Sequence, residues 1–393
     1  MRRAKTCLLW AVAAGCLSLA RAEFDGGDDF DDNSVNTSKW LLPDTTFDGG
    51  TLTETGSRLR YTTTGAVLFQ SQATRFWKLN LGSYTNDWFV QVDANNPFTS
   101  ADANQTVDVR LRIFNAADNP TDRVELQLRF DGPTNRYFRA EARDDNSTLA
   151  TNAPTTATAA GLRLRWSASN LVLHAEYDGD AAAGGYQWTN LASFKLTVNP
   201  VNWNLGSTSL FECAVAGFSS FVSLPSGSNV FLDNFRAVSA PLIATNPTSQ
   251  NAVQGSNVTF AVAATGSATL AYQWQFNSNN LAGETNALLT LANVQPSQAG
   301  AYRCVVTNEA GARASANATL SVTALPALAY SRTGTNFILS WPANATGFVL
   351  QATAALFPPQ WTNATPAPVT VGTNKVVNNN LTGAEKFYRL FKP

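Results

Sequence analysis

At 393 residues the chain is too long for one small core, and a spacing of roughly one domain per hundred to two hundred residues divides it into two to four. A formal net charge of −1, with only 14% of residues charged, leaves no basic field to draw in nucleic acid or anionic lipid, so neutral partners such as glycans or proteins are favoured. A hydrophobic fraction of 44% is enough to fill real cores, which excludes a disordered chain and fits an all-β exported composition.

The first residues read as a leader. Arg2, Arg3 and Lys5 form a positive start, Cys7 to Leu19 an apolar run, and Ala20 and Ala22 the small residues that flank a cleavage position, so residues 1–22 are expected to be removed as a signal peptide. The apolar run is shorter than the roughly 20 residues that span a bilayer, so no transmembrane segment is expected in the mature chain. The stretch Ala13 to Cys16 loosely matches a lipidation box, and acylated Cys16 is the alternative. Cys7 and Cys16 leave with the leader. Cys213 and Cys304 remain in separate domains, so no disulfide is expected and stability must come from packing.

From residue 23 to 240 the pattern is period 2. Val107, Val109, Leu111 and Ile113 alternate with Asp108, Arg110 and Arg112; Val124, Leu126, Leu128 and Phe130 alternate with Glu125, Gln127 and Arg129; Leu162, Leu164 and Trp166 alternate with Arg163 and Arg165. Each such strand has one apolar and one charged face, with Asn, Asp, Gly and Pro turns between strands, and this predicts an antiparallel sandwich or jelly roll. The arginines, with Asp108, Glu125 and Glu141, are expected to pair across strands. The acidic run Asp28 to Asp32 with Trp40, the strands Leu162 to Trp166 and Leu171 to Asp178, Trp188, and the closing Val230 to Phe235 resemble a concanavalin A-like lectin/glucanase sandwich of bacterial surface proteins, over a little more than half of the chain. The resemblance implies a jelly roll of two packed sheets with a glycan-facing surface.

In 241–323, Gly255 to Val262 alternates as a strand, Trp274 sits within the next inward strand, and Gln298 to Cys304 ends in Tyr302-x-Cys304. That order predicts an immunoglobulin-like sandwich and resembles the I-set type, with Trp274 as core tryptophan and Tyr302 as corner tyrosine. Leu289, Leu291, Val306, Leu320 and Val322 supply further inward positions. Val262 stands where a disulfide partner of Cys304 would be, and Gln298 where an Asp is usual, so Cys304 is read as a small buried hydrophobe against Val262. In 324–393, Phe337 to Pro342, Gly347 to Gln351, Trp361 and Phe387 to Leu390 read as short strands of a small β module, similar to the terminal module of many bacterial exported proteins.

Three constellations bear on function. His174, Glu176, Asp178 and Asp180 share one strand face by alternation, and Glu176, Asp178 and Asp180 are the candidate acids of a glycoside hydrolase, but Asp178 to Asp180 also reads as a hairpin turn that ends the strand. Asp25, Asp28, Asp29, Asp31 and Asp32 could supply oxygen ligands to Ca²⁺, the sole cofactor envisaged, with Asp233 joining if the first and last strands of the sandwich pair. For a glycan, alternation turns Trp77, Trp88, Phe138 and Trp166 inward and leaves Phe76, Phe89 and Tyr137 outward, beside Gln91 and Arg139, as stacking platforms. The expected protein is all-β, secreted or surface-displayed, and non-catalytic, binding a polysaccharide or a surface protein. The rivals are a hydrolase acting through Glu176, Asp178 and Asp180, and a purely structural surface protein.

Overall fold

The computed structural model describes residues 25–77, 85–115, 122–145, 147–180, 185–203, 205, 209–380 and 385–393. The expected leader, residues 1–22 with Cys16, lies outside them. Among the described residues the regular structure is all strand apart from one 3₁₀ turn at Pro296–Gln298, and no helix is long and apolar enough to cross a membrane. The all-β expectation holds. Two compact units divide the chain, residues 1–245 with 263–273 and 305–315, and residues 246–262 with 274–304 and 316–393.

Among the described residues seventeen strands build the first part. They begin with β1 (Asp25–Asp28), β2 (Thr45–Phe47), β3 (Gly50–Glu54), β4 (Leu59–Thr63), β5 (Gln70–Phe76) and β6 (Trp88–Asn95). There follow β7 (Thr106–Asn115), β8 (Arg123–Asp131), β9 (Asn135–Arg143), β10 (Thr148–Pro154), β11 (Ala159–Ser167) and β12 (Val172–Asp178). The last are β13 (Thr189–Lys195), β14 (Thr197–Val198), β15 (Val201–Asn202), β16 (Phe211–Ser220) and β17 (Phe231–Ser239). An eight-stranded sheet runs β13-β12-β11-β6-β17-β4-β3 with β1 added on β17, and a seven-stranded sheet runs β10-β9-β8-β7-β16-β5-β2. First and last strands do pair, antiparallel, with Asp28 opposite Phe235.

Alternation decides which side chains meet between the sheets. Val90 and Val92 of β6, Leu162, Leu164 and Trp166 of β11, and Val107 to Ile113 at every second residue of β7 are all within 1% of full burial. Contact across the sandwich is direct: Trp88 of one sheet lies 5.2 Å from Phe211 of the other, and Phe138 stacks on Tyr177 at 4.0 Å. Trp77, Trp88, Phe138 and Trp166 point inward as expected. A second aromatic cluster joins Phe30, Trp40, Trp77 and Phe235, with Trp40 edge-on to Trp77 at 4.7 Å. Each large ring that is buried contributes about 1.5–3 kcal/mol, and the two clusters are the main apolar anchors of the sandwich.

Tyr61 of β4 is a tie between the sheets. Its hydroxyl donates to the Ser71 carbonyl at 2.9 Å and lies 3.2 Å from Ser219 Oγ, both on the opposite sheet. The ring passes directly over Gly217, where an added Cβ would sit 2.0 Å from Tyr61 Cγ. Only glycine leaves that space. Gly217→Ala should therefore destabilise this sandwich by about 1–3 kcal/mol through forced displacement of Tyr61, read as a lowered thermal midpoint. An unchanged midpoint would show that Tyr61 is not held there.

A second tie is ionic. Arg75, 2% exposed, donates from Nε and Nη2 to Asp44 at 2.9 and 3.0 Å, from Nη1 to Glu54 Oε1 at 2.7 Å, and from Nη2 to the Leu52 carbonyl. Asp44 already balances the guanidinium. Glu54 is the surplus carboxylate, its Oε2 has no hydrogen-bond partner, and burial, against the pull of Arg75 and with a push from Asp28 and Asp32, raises it to about 7. Between its ordinary value of 4.5 and 7 the folded protein binds this proton and the unfolded chain does not, so stability is greatest below the window and falls as pH rises through it. Denaturation at a series of pH values should show wild type losing on the order of 2 kcal/mol across that window relative to Glu54→Gln. Parallel curves would mean that Glu54 is ionised throughout.

In the immunoglobulin-like stretch, Val258–Ala261 pairs with Leu288–Leu291, Gly300–Tyr302 pairs antiparallel with Ala318–Leu320, and Gln250–Val253 runs parallel to Leu320–Thr323. Phe260, Trp274, Leu289, Tyr302 and Leu320 are buried, while Leu291 and Val322 are half-buried. Trp274 Nε1 donates to the Asn286 carbonyl at 2.9 Å and Tyr302 Oη to the Gln298 carbonyl at 2.8 Å. Gln298, the departure from the usual Asp, accepts from the Gln295 backbone N–H at 2.8 Å and so closes the 3₁₀ turn. Cys213 and Cys304 are thiols, both fully buried, and Val262 is buried as well. The C-terminal strands form a sheet of Ala329–Thr333, Asn336–Pro342, Asn374–Asn380 and Val369–Val371, and another of Thr362–Asn363, Val349–Thr353 and Phe387–Phe391. Their core is small: Leu339, Trp341, Leu350 and Val377.

Candidate functional site

The outward side of the seven-stranded sheet is a lattice set by strand register. Reading from β5 across to β9, one row is Phe76, Ala214, Arg112, Glu125, Glu141; the next is Thr74, Ala216, Arg110, Gln127, Arg139; and a third is Gln72, Phe218, Asp108, Arg129, Tyr137. Asp108 and Glu125 pair across strands as expected, whereas Glu141 pairs with Arg139 of its own strand. Asp108, Arg110, Arg112, Glu125 and Gln127 are each at most 7% exposed although they face away from the apolar core.

Glu125 gathers this lattice. It accepts from Arg112 Nη2 at 3.0 Å, Arg110 Nη1 at 3.1 Å, Arg123 Nε at 2.6 Å and Gln127 Nε2 at 2.8 Å. Burial alone would raise this carboxyl, but Arg112, Arg110 and Arg123 hold it far below the usual carboxylate range. Asp108 pairs with Arg110 through both oxygens and with Arg129 at 3.2 Å. The small side chains of β16 allow a long reach. Arg112 extends from β7 across the strand of Ala214 and Ala216 to Thr74 Oγ1 at 3.0 Å and Gln72 Oε1 at 3.2 Å on β5, while the Arg110 guanidinium lies 4.5 Å from the centre of the Phe218 ring.

At this end of the face is a cleft of about 400 Å³. It is lined by Phe76, Phe114 and Phe218, by Arg110, Arg112 and Arg123, and by Thr45, Gln70, Gln72 and Thr74. Phe76 and Phe114 are in contact, ring centres 5.4 Å apart. Burial lowers the Arg112 guanidinium to about 10, with Glu125 opposing and the flanking Arg110 and Arg123 adding to the shift. The cleft combines apolar rings with a dense set of hydrogen-bond donors.

Of the predicted glycan contacts, only Phe76 lines this cleft. Tyr137 and Arg139 share its face but lie four strands from Phe76, about 19 Å at ordinary strand spacing, and do not line the cleft. The Tyr137 hydroxyl is tied to Asp131 and accepts from Arg129 Nε at 3.0 Å, and Arg139 pairs with Glu141 at 2.7 Å. Phe89 and Gln91 require correction. They belong to the other sheet and are 3% and 2% exposed, because Arg163 lies 5.6 Å over the Phe89 ring and Arg165 and Val238 flank it in register. The five residues do not form one surface. Phe114, Phe218 and Arg123 were missed, and the signal for them was the outward alternation Ala214, Ala216, Phe218 opposite the arginine strand.

The acidic candidates are otherwise employed. Glu176 accepts from Arg163 Nε at 2.6 Å and from Arg165 Nη2 at 2.8 Å, so both its oxygens are held in ion pairs. Asp178 ends β12 and accepts from the backbone N–H groups of Asp180 at 3.2 Å and Gln187 at 2.8 Å, which makes it part of the turn. His174 Nδ1 lies 2.8 Å from Ser193 Oγ, and burial with Arg165 nearby lowers its pKa. The calcium ligands fare similarly. Asp28 accepts from Trp40 Nε1 at 2.6 Å and Phe30 N–H at 3.2 Å, Asp29 and Asp32 accept from the backbone two residues on, and Asp233 accepts from Asn234 N–H. Among the described residues no three His, Cys, Asp or Glu side chains come together so as to hold a metal ion, and Asp31 joins no such group.

Residues 240–308 match the immunoglobulin domain family. Among solved structures, the chain is similar to a chimeric titin fragment functionalized with a peptide from decorin, at 26% identity over 22% of this chain and 98% of that one, with a TM-score of 0.21. A trigonal form of a titin domain is similar at 28% identity over 21% and 96%, TM-score 0.20, and a titin I-band fragment at 11% over 56% and 86%, TM-score 0.26. No curated protein matches. The stretch 240–308 is an immunoglobulin domain.

Proposed function

We propose that this is an exported, non-catalytic binding protein whose first sandwich takes a polysaccharide in the cleft of the seven-stranded sheet, with the immunoglobulin domain and the small C-terminal module following it in sequence. The observation that carries the reading is the cleft itself. A sugar ring has an apolar face and a rim of hydroxyls, and here the rings of Phe76, Phe114 and Phe218 stand among Gln70, Gln72, Thr74 and three arginines. Its volume of about 400 Å³ is within the range of small-ligand sites, enough for a short run of sugar units. The occupied carboxylates of Glu176 and Asp178 supply no poised acid and base, which favours binding over hydrolysis.

A glycan array probed with the chain from Glu23 onward should retain polysaccharide without release of reducing sugar. Phe76→Ala should weaken that binding by roughly tenfold, since one ring contact contributes on the order of 1 kcal/mol or more, while keeping the thermal transition. A folded variant that binds as wild type removes the cleft from the reading, and an empty array leaves a structural protein. Export rests on the Met1 to Ala22 leader, and mass spectrometry of the mature protein should find Glu23 first. Intact Met1 or an acylated Cys16 would overturn that part.

A further inference from the structure

We infer that the polysaccharide of this cleft is acidic, bearing carboxylates on its sugar rings that pair with Arg112 and Arg123; the inference rests on the glycan reading of the cleft. The lining holds three guanidiniums and no carboxylate. Behind them the negative charge is already committed. Glu125 accepts from Arg110, Arg112 and Arg123 together, and Asp108 meets Arg110 through both oxygens, so two carboxylates face the three guanidiniums of the lining. Asp108 cannot make up the difference, because it also holds Arg129. Glu212 stands in register opposite Phe114 but is not part of the lining.

A second observation points the same way. Arg112 Nε is buried and donates to nothing, whereas every other polar atom of that guanidinium is used. A buried N–H without an acceptor is uncommon and costly, and an acceptor oxygen brought by a ligand, a carboxylate oxygen most strongly, would relieve it. One carboxylate oxygen suits the Arg112 Nε N–H and the other the Arg123 guanidinium, and Gln70, Gln72, Thr74 and Thr45 around them suit hydroxyls. An inorganic anion would leave the aromatic part of the cleft unfilled. The downward shift of Arg112, caused by burial beside two other arginines, is the electrostatic counterpart of the same deficit.

The test compares polygalacturonate with its carboxyl-reduced, neutral counterpart by titration calorimetry on the chain from Glu23 onward. Polygalacturonate should bind at least about tenfold more tightly, the worth of one charge-assisted hydrogen bond, and the advantage should shrink with added salt. Arg123 is 21% exposed at its side chain, so Arg123→Gln should fold and lose most of the preference; Arg112→Lys, which keeps charge but not the Nε donor, should lose part of it. Equal binding of both polymers overturns the acidic assignment and leaves the glycan reading standing. Binding of neither, with an empty glycan array, overturns both. A preference for the acid that survives in folded Arg123→Gln and Arg112→Lys, or dextran sulfate binding as tightly as polygalacturonate without regard to Phe76→Ala, overturns the assignment to this cleft.

Discussion

One carboxylate organises the outer face of the seven-stranded sheet. Glu125 receives four donors, three from guanidiniums, at 2.6 to 3.1 Å, and is almost fully buried. Charges removed from water usually cost more than their attraction returns unless geometry and hydrogen bonding are close to complete, and here the carboxylate, though not all of its partners, meets that condition. The arrangement extends into the backbone plan. Arg112 lies across β16 only because Ala214 and Ala216 are small, and Arg110 caps Phe218 from the same side. A polar face has thus been closed with ions where an ordinary sandwich would leave it wet.

Alternation made the inner half of this sandwich legible. Trp88, Trp166, Phe138 and the valines of β7 follow from period 2 alone, since a strand with one apolar side has only one way to face a core. The pairing of β1 with β17 was legible as a condition, and Tyr302 and Trp274 as positions. What alternation cannot specify is the cover above an outward residue. Phe89 points outward and is buried nonetheless, because Arg163 from the neighbouring strand lies over it. Phe76 and Phe218 meet one cleft only through strands more than a hundred residues apart in sequence. The sequence contains the participants but not their register, and register is where the site arises.

The acidic run at the start has a similar lesson. A cluster of Asp reads as oxygen ligands, yet Asp28 is there to take the indole N–H of Trp40, the tryptophan at the centre of the Phe30, Trp77 and Phe235 cluster. An aromatic core with a polar handle requires a buried acceptor, and a carboxylate near the chain's first strand provides it. Gln298 in the immunoglobulin domain is the same kind of substitution: the turn it closes needs an acceptor for the Gln295 N–H, and an amide oxygen does this as well as a carboxylate.

The two ways in which chain ends are sewn into these folds differ under load. In the first sandwich β1 lies antiparallel to β17, Asp25 beside Val238, so a pull entering at Asp25 and leaving at Ser239 attacks the pairing from one end and opens its hydrogen bonds in succession. In the immunoglobulin domain Gln250–Val253 runs parallel to Leu320–Thr323, so a pull entering at Gln250 and leaving at Thr323 slides the strands past each other and loads every bond between them at once. The first geometry unzips and the second shears. Tension along this chain would therefore open the first sandwich at its strand seam while the parallel seam of the immunoglobulin domain still holds.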